Sequence, residues 1–191
     1  MKIFLTDISN MDDNIMNKGL ELVTDYRRNK VERCKFREDK ERSLAAGLLL
    51  NYATKMYAEY MKMQIKYEHV IDDVKDGIEC NVDNNSKNNN GCDGKYNKEN
   101  NIEYKTDGNI IVNVRLDELV ENYDASYDYD IEYVANGKPV YRNSDIYFNL
   151  SHAGNYVVCA VSDKAVGVDI ERQRKNVIRV AKRFFTQAEC D

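Results

Sequence analysis

Between residues 81 and 91 the chain reads Asn81-Val82-Asp83-Asn84-Asn85-Ser86-Lys87-Asn88-Asn89-Asn90-Gly91, with almost no apolar side chain. A stretch of this kind buries too little surface to offset the entropy of ordering it. A flexible insertion is therefore expected over 76–101, and any core has to be assembled from the segments on either side. The 191 residues suit one domain or two small ones. Hydrophobic residues make up 42%, enough for a core. The net charge of −5 argues against a general nucleic-acid binder, which carries a basic face. No apolar run approaches the roughly 20 residues that span a bilayer, and the start Met1-Lys2-Ile3-Phe4-Leu5-Thr6-Asp7 lacks an apolar signal core. No membrane partner is expected, and the expected location is the cytoplasm. The five cysteines are scattered, with no CxxC pair, so reduced thiols are expected instead of disulfides or structural zinc.

Residues 1–8 read as a strand on Ile3, Leu5 and Ile8. Leu, Ala and Met dominate from Ser43 onward, which predicts a buried helix over about 39–62. Ile110-Ile111-Val112-Asn113-Val114 suits a strand, whereas Tyr123 to Tyr133 is acidic and tyrosine-rich without a clear period. Gly137-Lys138-Pro139 signals a turn. Strands are expected at Ile146–Leu150 and Tyr156–Val161, joined by a hairpin at Gly154-Asn155, and a third at Val166–Glu171. A short helix is expected over 176–185, with Val177, Val180, Ala181 and Phe184 on one face.

Four groups of residues carry chemistry. On a strand, Asp169 and Glu171 share a face, about 7 Å apart, a spacing that suits a hard cation such as Mg²⁺. The plainer alternative is a solvated acidic face. Ser151 and His152 are adjacent and point in opposite directions, so they form no nucleophile–base pair with each other. No GxSxG elbow surrounds the serine. They suit anion contact, or simply a polar turn. Residues 27–42 hold eight cations and four carboxylates, a set able to bind phosphates or to form an ordinary solvated helix face. The run Arg172, Arg174, Lys175, Arg179, Lys182 and Arg183 suits either docking of an acidic protein or solvent.

Taken in order, Gly137-Lys138-Pro139, Phe148-Asn149-Leu150-Ser151-His152-Ala153-Gly154, Gly167-Val168-Asp169-Ile170-Glu171 and Ala181-Lys182-Arg183-Phe184-Phe185-Thr186-Gln187-Ala188-Glu189 resemble the motifs of the 4′-phosphopantetheinyl transferases. The likeness is to the surfactin-synthetase-activating type, a pseudo-dimer of two similar halves. Arg33 to Leu44 is similar to that family's first motif. The resemblance covers about 27–53 and 137–189 and leaves the insertion out.

The resemblance implies an α+β fold whose half-unit is a short antiparallel sheet packed by a long helix. A first unit is expected over 1–165 and the start of a second over 166–191. It implies a holo-[acyl-carrier-protein] synthase type of enzyme, which transfers the phosphopantetheine arm of coenzyme A to a serine of an apo acyl or peptidyl carrier protein. Adenosine 3′,5′-bisphosphate leaves. Coenzyme A contacts fall on Arg27, Lys30, Arg42, Ser43, Lys138, Ser151 and His152. The metal ligands for Mg²⁺ fall on Asp169 and Glu171, with Glu189 a further catalytic carboxylate. The family continues to a Trp-x-x-Lys-Glu motif, but the sequence contains no tryptophan. A fragment or a truncated product is therefore expected, and a fragment that binds coenzyme A or a carrier without turnover is the alternative.

Overall fold

The computed structural model describes residues 1–75, 103–106, 109–135 and 137–172. The Asn-rich insertion, the helix expected over 176–185, the basic run beyond Arg172 and Glu189 lie outside the described residues.

A five-stranded sheet forms the centre. Its strands are β1 (Lys2–Asp7), β2 (Glu103–Thr106), β3 (Asn109–Asn113), β6 (Tyr147–Ala153) and β7 (Tyr156–Ser162), in the order β2-β3-β1-β7-β6. Two further strands, β4 (Ile131–Tyr133) and β5 (Pro139–Tyr141), pair as a separate small hairpin. The expected antiparallel sheet is thus corrected to a mixed one. β1 and β3 run parallel, with Phe4 opposite Val112. The chain between them contains the long helix, and such a crossover returns it in the same direction.

β1 alternates as a strand with one covered face should, with Phe4 and Thr6 buried, Ile3 and Leu5 half-buried and Asp7 exposed. The central β7 is buried from Val157 through Ser162. It lies between β1 and β6, with Cys159 paired to Phe4 and to Leu150, and α3 packs against it. The β6–β7 turn is the two-residue Gly154-Asn155 link. Gly154 has φ +58°, which a side chain would strain.

The helices are α1 (Asp13–Leu22), α2 (Asp25–Glu32), α3 (Arg37–Lys75) and α4 (Leu116–Glu121). Asp12 caps α1 by accepting from the Ile15 amide at 2.8 Å. Thr24 caps α2 through the Arg27 amide. α3 begins two residues before the expected start and runs thirteen beyond the expected end. Leu44, Ala45, Leu48, Leu49 and Ala53 are fully buried. The Leu/Ala run is apolar all round because α3 packs on β1 and β7 while α1, α2 and α4 cover its other sides.

The tyrosine-rich stretch without a period forms a short 3-10 turn at Ala125–Tyr127 and then enters β4, and its first part is held by specific bonds. The buried Asn51 amide on α3 donates to Asp124 O at 2.9 Å and to Asp128 Oδ1 at 2.8 Å, and accepts from the Asp124 amide. Tyr141 packs edgewise on Tyr129 and at a tilt on Phe148, and its hydroxyl bonds Thr54 at 2.7 Å. The strand expected at Val166–Glu171 does not form. The segment joins no sheet among the described residues.

Candidate functional site

α2, the first turns of α3, the β4–β5 hairpin and one face of β6 enclose a cleft of about 410 Å³. Arg27, Lys30, Arg42, Ser43 and His152 line it. The alternation of β6 sends Phe148, Leu150 and His152 to this side.

Arg27 is the most constrained of these residues. It is only 8% exposed, and its stem lies across Gly47 of α3, where an added Cβ would stand 2.7 Å from Arg27 Nε. Glycine inside a helix costs about 1 kcal/mol relative to alanine, and here it makes room for the arginine. Nη1 donates to Ser43 O at 3.3 Å, and no carboxylate pairs with the guanidinium among the described residues. Burial lowers the Arg27 pKa from its ordinary value, but an arginine still keeps its charge at neutral pH. A buried cation without a counter-ion is costly, so the cleft favours an anion.

The Ser43 hydroxyl oxygen is buried and has no hydrogen-bond partner among the described residues, although buried polar groups are ordinarily paired. Arg42 donates to Gly154 O at 3.1 Å and to Asp39 Oδ1 at 2.6 Å, which ties the helix to the β6–β7 turn and offsets part of its charge. The cleft therefore holds three cations and an imidazole against the single carboxylate Asp39. Tyr26 and Tyr133, hydrogen-bonded to each other across the mouth, were not signalled by the sequence. Burial, then the bond to Tyr133, raises the Tyr26 pKa.

Two expected contacts stand apart from the cleft. Ser151 alternates to the other side of β6 and donates to Asp169 Oδ1 at 2.5 Å. Lys138 Nζ donates to Val166 O at 2.7 Å. Both act on the segment that carries Asp169 and Glu171. These two carboxylates are exposed, and neither forms an ion pair among the described residues. No group of three potential metal ligands occurs among the described residues. Two exposed carboxylates at alternate positions nevertheless fit Mg²⁺, which commonly takes one or two carboxylates and completes its shell with water and substrate phosphates. No helix among the described residues is long and apolar enough to cross a membrane.

Comparison with known proteins finds relatives over part of the chain. A 4′-phosphopantetheinyl transferase of Bacillus subtilis is 46% identical over 54 residues, 28% of this chain and 24% of the relative. The 4′-phosphopantetheinyl transferase gsp of Aneurinibacillus migulanus is 47% identical over 53 residues, 28% of this chain and 22% of the relative. The 4′-phosphopantetheinyl transferase HetI of Nostoc sp. is 36% identical over 67 residues, 31% of this chain and 28% of the relative. The chain thus spans about a quarter of the length of the curated relatives it matches. No protein-family model matches.

Proposed function

Because part of this chain is similar to 4′-phosphopantetheinyl transferases, HetI of Nostoc among them, we propose that it transfers the phosphopantetheine arm of coenzyme A to a serine of an apo acyl or peptidyl carrier protein, releasing adenosine 3′,5′-bisphosphate. The single observation that carries this reading is the buried, carboxylate-free Arg27 in a cleft shared with Lys30, Arg42, Ser43 and His152. Coenzyme A brings phosphates, the ligand chemistry that such a cleft favours.

Phosphoryl-type transfer depends on positioning and charge neutralisation more than on covalent chemistry from the protein. Arg27, Lys30 and Arg42 bind the phosphate oxygens, and His152 and the Ser43 hydroxyl hydrogen-bond them. Asp169 and Glu171 are the residues that would hold Mg²⁺, which when bound acts as a Lewis acid at the pyrophosphate. Ser151 and Lys138 serve this site by holding the carboxylate segment, and Glu189 is a further acidic group of the same reading. The nucleophile belongs to the carrier serine, so the protein needs no Ser–His–Asp set. Residues 1–165 make the first half-unit of the fold in this reading, and 166–191 open the second.

A second reading keeps binding without turnover. It is favoured by the absence of tryptophan from the sequence, which excludes the Trp-x-x-Lys-Glu motif from these residues. Mass spectrometry of an apo carrier protein incubated with the chain, coenzyme A and Mg²⁺ separates the two. The transferase reading expects the carrier to gain one phosphopantetheine arm, and expects that gain to vanish with Asp169→Ala. An unmodified carrier alongside tight coenzyme A binding would overturn turnover and leave the binding module.

A further inference from the structure

The segment carrying Asp169 and Glu171 runs beside β6 without a strand ladder, yet side chains grip its main chain at every second residue. Lys138 Nζ donates to Val166 O at 2.7 Å. The Val168 amide donates to Asn149 Oδ1 at 2.8 Å. The Ile170 amide donates to the Ser151 hydroxyl oxygen at 3.3 Å. Asn149 and Ser151 are two residues apart on β6 and so share one face. The amides they receive are also two residues apart, and the two repeats match.

Successive amides in an extended chain alternate in direction, so fixing those of Val168 and Ile170 fixes the rotation of the strip. The same rotation decides whether Asp169 and Glu171 present their carboxylates together. Ser151 also touches Asp169 itself, which mixes anchoring with direct contact. Asn149 receives the amide one residue before Asp169, forms no hydrogen bond to the Asp169 carboxylate among the described residues, and is half-buried.

We propose that Asn149 is a positioning residue: by anchoring the Val168 amide it sets Asp169 and Glu171 in the arrangement that a divalent cation requires. The proposal rests on the metal reading of those two carboxylates given above. In this proposal Asn149 acts through the Val168 main chain and is not itself a ligand of the cation. Metal ligands held by an outer hydrogen bond lose affinity when that bond is removed.

The test compares Asn149→Leu, which has similar bulk and no acceptor, with Asn149→Asp, which keeps an oxygen in place. Folding is checked by circular dichroism. Coenzyme A binding is measured by calorimetry across a Mg²⁺ series and in EDTA, and exchange of the Val168 amide is followed by NMR. In Asn149→Leu the Mg²⁺ concentration that gives half of the metal-dependent gain in binding is expected to rise about tenfold, the scale of one lost hydrogen bond, while Asn149→Asp stays near the unaltered chain. Val168 exchange is expected to speed up only in Asn149→Leu, and coenzyme A affinity in EDTA is expected to hold in both. An unchanged Mg²⁺ midpoint in a folded Asn149→Leu chain overturns the proposal, and so does an equal loss of affinity in EDTA. Binding by the unaltered chain that ignores Mg²⁺ overturns the metal reading of Asp169 and Glu171, and this proposal with it.

Discussion

Replacing Gly47 by alanine sets helix propensity against the arginine that crosses it. In an ordinary helix interior the change stabilises by about 1 kcal/mol. Here the new methyl would lie 2.7 Å from Arg27 Nε and 2.9 Å from both Cδ and Cγ. Contacts on three consecutive atoms force the whole stem to lift, which breaks the 3.3 Å bond from Nη1 to Ser43 O. A hydrogen bond from a charged donor contributes about 1.5–3 kcal/mol, and a long one belongs at the lower end. The two effects nearly cancel in stability, so the thermal midpoint is expected to stay within about 4 °C. Binding has no such offset. A guanidinium displaced from a phosphate loses a charge-assisted bond of similar size, which weakens coenzyme A about tenfold or more. Thermal unfolding and calorimetric titration read the two quantities separately. A Gly47→Ala chain that is stabilised by about 1 kcal/mol and binds coenzyme A unchanged would refute the placement of Arg27 at the ligand.

Arg27→Met is expected to leave stability equal or higher, since an apolar side chain replaces a buried charge without a carboxylate partner, while coenzyme A binding falls steeply; chemical denaturation and calorimetry check the pair. Asn51→Leu is expected to destabilise by about 2–4 kcal/mol, because it strands the groups of Asp124 and Asp128 that Asn51 now bonds; urea unfolding measures it. Burial pushes the Cys159 thiol well above its ordinary value. The unfolded thiol therefore ionises first as pH rises above about 8.5, the unfolded state then holds fewer protons, and stability falls with pH in that window. Cys159→Ala is expected to flatten this fall in a pH series of unfolding curves.

The parts of the fold that could be read from the sequence are those where one physical signal dominates. The Leu/Ala run from Leu44 to Ala53 admits only a buried helix, and the Gly154-Asn155 turn between two apolar runs admits only a hairpin. The 166–171 segment has the composition of a strand, but its amides bond to Asn149 and Ser151 side chains rather than to a ladder. No periodicity separates those two cases. The parallel pairing of β1 and β3 is equally hidden, because a strand's pattern does not reveal its neighbour's direction. At the cleft, residue types suggested phosphate contacts, but a cluster with interleaved carboxylates reads the same when solvated. Only the fold buries Arg27 against Gly47 and pairs it with no carboxylate among the described residues. Tyr26 and Tyr133 are 107 residues apart in sequence, and nothing local pairs them.

The most direct measurement is a calorimetric titration of coenzyme A into the chain, alongside Arg27→Met, in Mg²⁺ and then in EDTA. Saturable binding that weakens without metal and falls at least about tenfold in Arg27→Met, the scale of one charged contact, is the predicted result. A folded chain that binds no coenzyme A, or binds it equally well with and without the Arg27 guanidinium, would contradict the assignment of this cleft to the phosphates of coenzyme A.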